Sequence, residues 1–121
     1  MYDYKTIAVF GVSQDASKYG YKIFTSLLAQ GLPVYGIHPK GGTLNGRPLF
    51  TCLVEVPVPV EVAVMVVPPA ALAGAVAQCQ QAGVKEIWFQ PGAREEAAYQ
   101  MAVRAGIKAI NGCFMKENGF W

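Results

Sequence analysis

Ile7-Ala8-Val9-Phe10-Gly11-Val12-Ser13 carries four apolar residues straight into a glycine turn, and an amphipathic pattern takes over from Lys18 to Gln30. Four apolar residues without polar alternation read as a strand covered on both faces. In the segment that follows, Tyr19, Ile23 and Leu27 share one helical face, with Phe24 and Leu28 beside them. The pattern stops at Gly31-Leu32, and a β-branched and aromatic run, Val34–Ile37, begins. Glycine reaches the left-handed conformation that closes a helix, and the apolar residue after it packs back on the last turn. The same junction recurs at Gly83-Val84 and Gly106-Ile107. Strand, helix, glycine stop and strand in repetition is the βαβ pattern of a parallel sheet.

Working outward, further strands read at Val62–Val67, Glu86–Phe89 and Lys108–Ile110, with a weaker one at Pro48–Phe50. Leu72, Ala75, Val76 and Cys79 mark a second helix by their i, i+3, i+4, i+7 spacing, and Ala98, Met101, Ala102 and Ala105 mark a third. The third opens with Glu95 and Glu96 and closes with Arg104, charges that complement its dipole. The expected fold is a doubly wound, Rossmann-like α/β sheet of five to six parallel strands with helices on both faces. Right-handed crossovers favour the order 3-2-1-4-5-6, with Pro48–Phe50 near one edge. The glycine-rich stretch Gly41–Pro48 reads as a surface loop or flap. All 121 residues are expected to form one domain.

The totals agree with a covered sheet. The chain is 53% hydrophobic and 15% charged, too apolar for a disordered segment. Ten basic and eight acidic side chains are scattered rather than striped, which argues against a nucleic-acid partner. The long apolar run from Val62 to Ala77 is broken by Pro68 and Pro69, so it reads as strand and helix, not as a membrane span. Cys52, Cys79 and Cys113 are odd in number and widely spaced, offering neither a disulfide framework nor a metal clamp. Free thiols without a signal peptide point to the reducing cytoplasm.

In an open parallel sheet, ligands bind beyond the carboxyl ends of the strands, where the strand order reverses. After the first strand come Gly11-Val12-Ser13, then Lys18 and Gly20 at a helix start. Glycine admits a ligand close to the backbone, and free helix-start amides attract phosphate. After the second strand stands His38-Pro39-Lys40. An NAD site would carry an acidic residue near there to hold the ribose hydroxyls, and the first turn lacks Gly-x-Gly-x-x-Gly. A lysine in place of the acid suits an adenosine bearing an extra phosphate, as in coenzyme A and NADP. Val67-Pro68-Pro69 offers a rigid apolar corner for an adenine ring or a thioether arm, and Gln90-Pro91-Gly92 an amide and an open turn. His38, the single histidine, has no nearby carboxylate to make it a catalytic base, and no nucleophile, base and orienter set is visible. Cys113 follows the last strand with nothing cationic beside it to activate the thiol. The aromatics Tyr2, Tyr4, Phe114, Phe120 and Trp121 near the termini could cover a sheet edge or contact a second copy or a partner protein.

These loops, in this order, resemble the small stand-alone coenzyme A-binding proteins of bacteria and archaea, over nearly the whole span from Ile7 to Cys113. The opening strand with Gly11-Val12-Ser13, then Lys18-Tyr19-Gly20, is similar to that family's strand, Gly-x-Ser turn, lysine and glycine. Val34–Ile37 followed by His38-Pro39-Lys40 resembles a strand ending in Asn-Pro-Lys, with His38 in place of the asparagine. Trp88-Phe89-Gln90-Pro91-Gly92 resembles a strand ending in Gln-x-Gly, and Tyr21 stands where the family usually has asparagine. The domain also resembles the first domain of the succinyl-CoA synthetase α subunit, whose phosphorylated histidine lies in a second domain and is not His38. The resemblance implies a coenzyme A or acyl-CoA ligand. Gly11, Val12, Ser13 and Lys18 would hold the phosphates, with Tyr19 and Gly20 completing that turn. His38, Pro39 and Lys40 would surround the adenosine and its 3′-phosphate. Val67, Pro68 and Pro69 would flank the adenine or the arm, and Gln90 and Gly92 would border the thiol end. A non-catalytic binding module is the leading expectation. An NADP-binding protein, a component of a split acyl-CoA ligase acting with a partner subunit, or an interaction protein with a vestigial pocket are the alternatives.

Overall fold

The computed structural model describes residues 5–121; Tyr2 and Tyr4 lie outside them. Four central strands are β1 (Ile7–Phe10), β2 (Val34–Ile37), β5 (Val62–Met65) and β6 (Glu86–Phe89), and β7 (Lys108–Asn111) forms one edge. A hairpin of β3 (Thr43–Leu44) and β4 (Arg47–Phe50) completes a sheet of seven strands among the described residues. Their order is β3-β4-β2-β1-β5-β6-β7, parallel throughout except for β3 against β4. The expected order therefore gains one short antiparallel strand at its edge. The helices are α1 (Tyr19–Ala29), α2 (Pro69–Ala82), α3 (Glu96–Arg104) and α4 (Phe114–Glu117).

Successive residues of β1 and β5 are buried on opposite faces of the sheet, and this explains why these strands read as unbroken apolar runs. Ala8, Phe10, Ala63, Met65, Ile87 and Phe89 pack on one side against Leu72, Val76 and Cys79 of α2 and Ala98 and Ala102 of α3. Ile7, Val9, Val62, Val64 and Trp88 pack on the other against Ile23, Phe24 and Leu27 of α1 and Phe114 and Met115 of α4. Every residue of β1 and β5 is buried, as required of strands covered twice. Gly36 on β2 lets α1 approach, since a methyl group there would meet the side chains of Leu49, Val12 and Phe24 at 2.7–3.2 Å.

Two sequence expectations need correction. Gly41–Pro48 is not a plain loop, because Asn45 (φ 50°) and Gly46 (φ 74°) both take the left-handed conformation that a tight two-residue hairpin demands. The third central strand ends at Met65 rather than Val67, where Pro68 and Pro69 supply no N–H to a ladder and instead start α2. Phe114 and Phe120 belong to the core layer that also takes in Ile110 of the edge strand β7. Phe114 is fully buried against Trp88, edge to face at 5.4 Å, and Phe120 stacks on it at 6.1 Å. Among the described residues no helix is long and apolar enough to cross a membrane.

Candidate functional site

The chain runs outward from β1 through β2 to β4, then returns to β5 and runs out the other way, so the order reverses between β1 and β5. At the carboxyl ends of these two strands Gly11 lies against Val66. A methyl group on Gly11 would stand 2.8 Å from the Val66 carbonyl carbon and oxygen, and Gly11 has a φ of +96°. Gly20, in the first turn of α1, faces the other side of the same turn, where a methyl group would run into the Gly11 carbonyl. Two glycines thus let the β1–α1 turn, the α1 start and the β5 end meet without side chains between them.

That meeting point is the floor of an open cleft of about 410 Å³. Gly11, Ser13, Lys18, Tyr19 and Gly20 form one wall; Val66, Val67 and Pro68 and the Pro91–Ala93 turn form the other. α1 and α2 both begin here. Neither has a side-chain cap or an acidic residue in its first turn, so both positive dipole ends face an incoming group; α1 also leaves its first amides free, whereas Pro68 and Pro69 carry no N–H and the Ala71 N–H already donates to the Pro68 carbonyl at 2.9 Å. The one carboxylate in the β1–α1 loop is already engaged. Asp15 Oδ1 accepts from the Ser17 backbone N–H at 2.9 Å and from its hydroxyl at 2.7 Å, while Ser13 Oγ accepts from the Asp15 N–H. The Ser17 hydrogen bonds, with a smaller contribution from Lys18, hold the Asp15 carboxyl below its ordinary value of 3.8.

Two smaller cavities lie along the same rim. One, of about 230 Å³, lies among Gln14, His38, Lys40, Gly41, Gly42 and Leu49 beyond β2. There His38 Nδ1 accepts from the Lys40 N–H at 3.0 Å, which leaves the proton of the neutral ring on Nε2. Gln14 Nε2 donates to the Thr43 carbonyl at 2.6 Å and ties the β1–α1 loop to the hairpin. The other, of about 250 Å³, shares Tyr19, Val66 and Pro91 with the main cleft and ends at Gln90, Cys113, Lys116 and Trp121.

A model of the CoA-binding domain matches residues 5–119. The chain belongs to the CoA-binding domain family. This CoA-binding domain is 33% identical over 93 residues to the α subunit of ADP-forming acetate–CoA ligase I of Pyrococcus furiosus, covering 72% of this chain and 20% of that one. A solved hypothetical protein from Pyrococcus horikoshii OT3 superposes with a TM-score of 0.91 at 30% identity, over 97% of this chain and 83% of that one. A dinucleotide-forming acetyl-coenzyme A synthetase 1 from Ca. Korarchaeum cryptofilum, solved with phosphate and ADP, superposes with a TM-score of 0.80 at 31% identity, over 89% of this chain and 25% of that one. The CoA-binding domain therefore spans about a fifth to a quarter of these two enzymes' chains.

Of the residues singled out from sequence, Gly11, Ser13, Lys18, Tyr19, Gly20, Val67, Pro68 and Gly92 come together in the main cleft. His38 and Lys40 share the cavity beyond β2, and Gln90 faces the one near Cys113. Val12, Pro39 and Pro69 line none of the three. The Val12 side chain is fully buried in the core and its N–H already donates to the Ile37 carbonyl at 3.2 Å, whereas Pro39 and Pro69 are exposed. Val66, Pro91, Ala93, Gln14, Lys116 and Trp121 line the rim without having been singled out. Val66 was hidden inside an apolar run that reads as strand. Pro91 and Ala93 flank the glycine of a recognisable turn, and the two tail residues belong to no motif.

Proposed function

We propose that this domain binds coenzyme A, or a short acyl-CoA, as a binding module whose own residues perform no chemistry. The observation that carries this reading is the uncapped start of α1 over the Gly11–Gly20 contact at the switch point. Such a site takes a pyrophosphate on backbone amides, with Lys18 adding a full charge. Adenosine then lies toward His38 and Lys40, where an ammonium group rather than a carboxylate meets its 3′-phosphate. Tyr19, Val67, Pro68 and Gly92 flank the ligand, and Gln90 stands toward its thiol end.

Isothermal titration against coenzyme A, dephospho-coenzyme A, NADP and NAD tests this. Coenzyme A should bind most tightly and NAD least. Because Lys40 is exposed, its ion pair with the 3′-phosphate is worth about 1 kcal/mol at low salt, roughly a fivefold preference over dephospho-coenzyme A. Lys40→Ala should erase that preference, and equal affinity for both ligands in the unaltered protein would remove the role of Lys40. NADP binding more tightly than coenzyme A would replace the ligand.

A second reading, a component of a split acyl-CoA ligase, is favoured by the match to a ligase α subunit. It predicts that this chain forms a stable complex with a nucleotide-using partner subunit and that thioester formation appears only in that complex.

A further inference from the structure

The cavity that opens off the phosphate cleft has a different character from the cleft itself. Past the shared waist of Tyr19, Val66 and Pro91 the cavity is bounded by the Trp121 ring, Gln90, Cys113 and Lys116, so its apolar surface is that of the waist and the indole. The Tyr19 and Trp121 rings face each other at 6.3 Å between centroids, and Trp121 is anchored by its indole N–H donating to Ser26 Oγ at 3.4 Å. At the inner end is one deeply buried amide. Gln90 is 4% exposed; its Oε1 accepts the Phe114 N–H at 2.6 Å, and its Nε2 donates to Cys113 Sγ at 3.5 Å. Sulfur is a weak acceptor. A buried primary amide aimed at a thiol inside a cavity is a donor that a carbonyl oxygen would satisfy better.

We infer that this cavity is an acyl subsite, selective for thioesters of apolar acyl groups, with Gln90 Nε2 donating to the thioester carbonyl and the acyl chain lying between Tyr19, Val66, Pro91 and Trp121. The inference rests on the coenzyme A reading above. From the end of β1 to the end of β7 are three strand spacings, β1 to β5 to β6 to β7, or about 14 Å. An arm that leaves a pyrophosphate at Gly11 and runs along the rim therefore brings its sulfur toward Gln90 and Cys113. Apolar walls then favour chain length, and the buried amide favours a carbonyl over a plain alkyl group.

Titration of the full chain with coenzyme A, acetyl-, butyryl- and hexanoyl-CoA, and with S-butyl-CoA, a thioether lacking the carbonyl, separates these claims. Affinity should rise by up to roughly fourfold per methylene that becomes buried, until the cavity is filled. Butyryl-CoA should exceed S-butyl-CoA by about fivefold, the worth of one hydrogen bond. Trp121→Ala, a change at a half-exposed ring, should flatten the chain-length series. Coenzyme A binding with a flat series overturns the subsite and leaves the cofactor assignment standing. A rising series with no preference for the thioester over the thioether overturns the role of Gln90. Absence of binding by every one of these ligands overturns the coenzyme A reading itself, and the subsite with it.

Discussion

Gly20 has no room for any side chain, because a methyl group there would collide with the carbonyl of Gly11, a backbone atom that cannot rotate away. Gly20→Ala must push the start of α1 off the β1–α1 turn. The expected cost is about 1–3 kcal/mol, read as a lower urea midpoint, with a larger relative loss of coenzyme A affinity because the displaced amides are the phosphate donors. An unchanged midpoint would mean the two backbones are farther apart than described. Sequence marks both glycines as turn residues. It does not show that they face each other, since that contact depends on where β5 holds Gly11. Cysteines divide just as sharply. Burial pushes the Cys79 thiol up to about 12, so its thiolate is scarce near neutral pH, whereas Cys52 and Cys113 are half-buried. A thiol reagent at pH 8 should label Cys52 and Cys113 in the native protein and reach Cys79 only after denaturant is added. Rapid labelling of all three would show that the α2 face of the core opens locally.

At the scale of elements, α1 carries a conflict between stability and binding. Its N-cap is Lys18, in an extended conformation (φ −87°, ψ 147°) suited to a capping side chain, yet lysine has no acceptor to offer. Lys18→Asp should cap the helix and complement its dipole. That would stabilise the fold by about 1 kcal/mol, visible as a higher urea midpoint, while placing a carboxylate where a phosphate is expected to sit. Coenzyme A affinity should fall at least tenfold in the same variant. Higher stability with undiminished affinity would move the phosphate away from α1. Helices α1 to α3 were legible because each ends at a glycine stop, and these three glycines do adopt positive φ, at 75°, 74° and 78°. The β3–β4 hairpin was less so. Its Asn45-Gly46 signal lies in a stretch whose other glycines, Gly41 and Gly42, also read as loop, and its first strand has only two residues. α4 is a single turn with no periodicity to detect, and its buried Phe114 and Met115 are visible only once α1 and Trp88 stand around them.

For the whole molecule, the doubly wound fold could be read because burial on both faces leaves β1 and β5 free of polar residues, a pattern that survives without any knowledge of partners. The rim was only partly readable, since its lining is drawn from the ends of five strands, and residues such as Val66 and Trp121 join it through packing rather than through a motif. The proposed ligand would therefore touch both wings of the sheet, the β2–β4 side through Lys40 and the β6–β7 side through Gly92 and Gln90. Opening either wing would break contacts with a ligand that bridges both, so binding should raise global stability rather than quiet one loop. At a coenzyme A concentration 100 times its dissociation constant the stabilisation is about 2.7 kcal/mol, which for a chain of this size raises Tm by roughly 10 °C. The rise should shrink at high salt, because ammonium groups and dipoles hold the phosphates. Amide exchange should slow in β2 and β6 together. Slowing confined to one wing would mean the ligand occupies a single βα turn, and the bridging pose along the rim would then have to be abandoned.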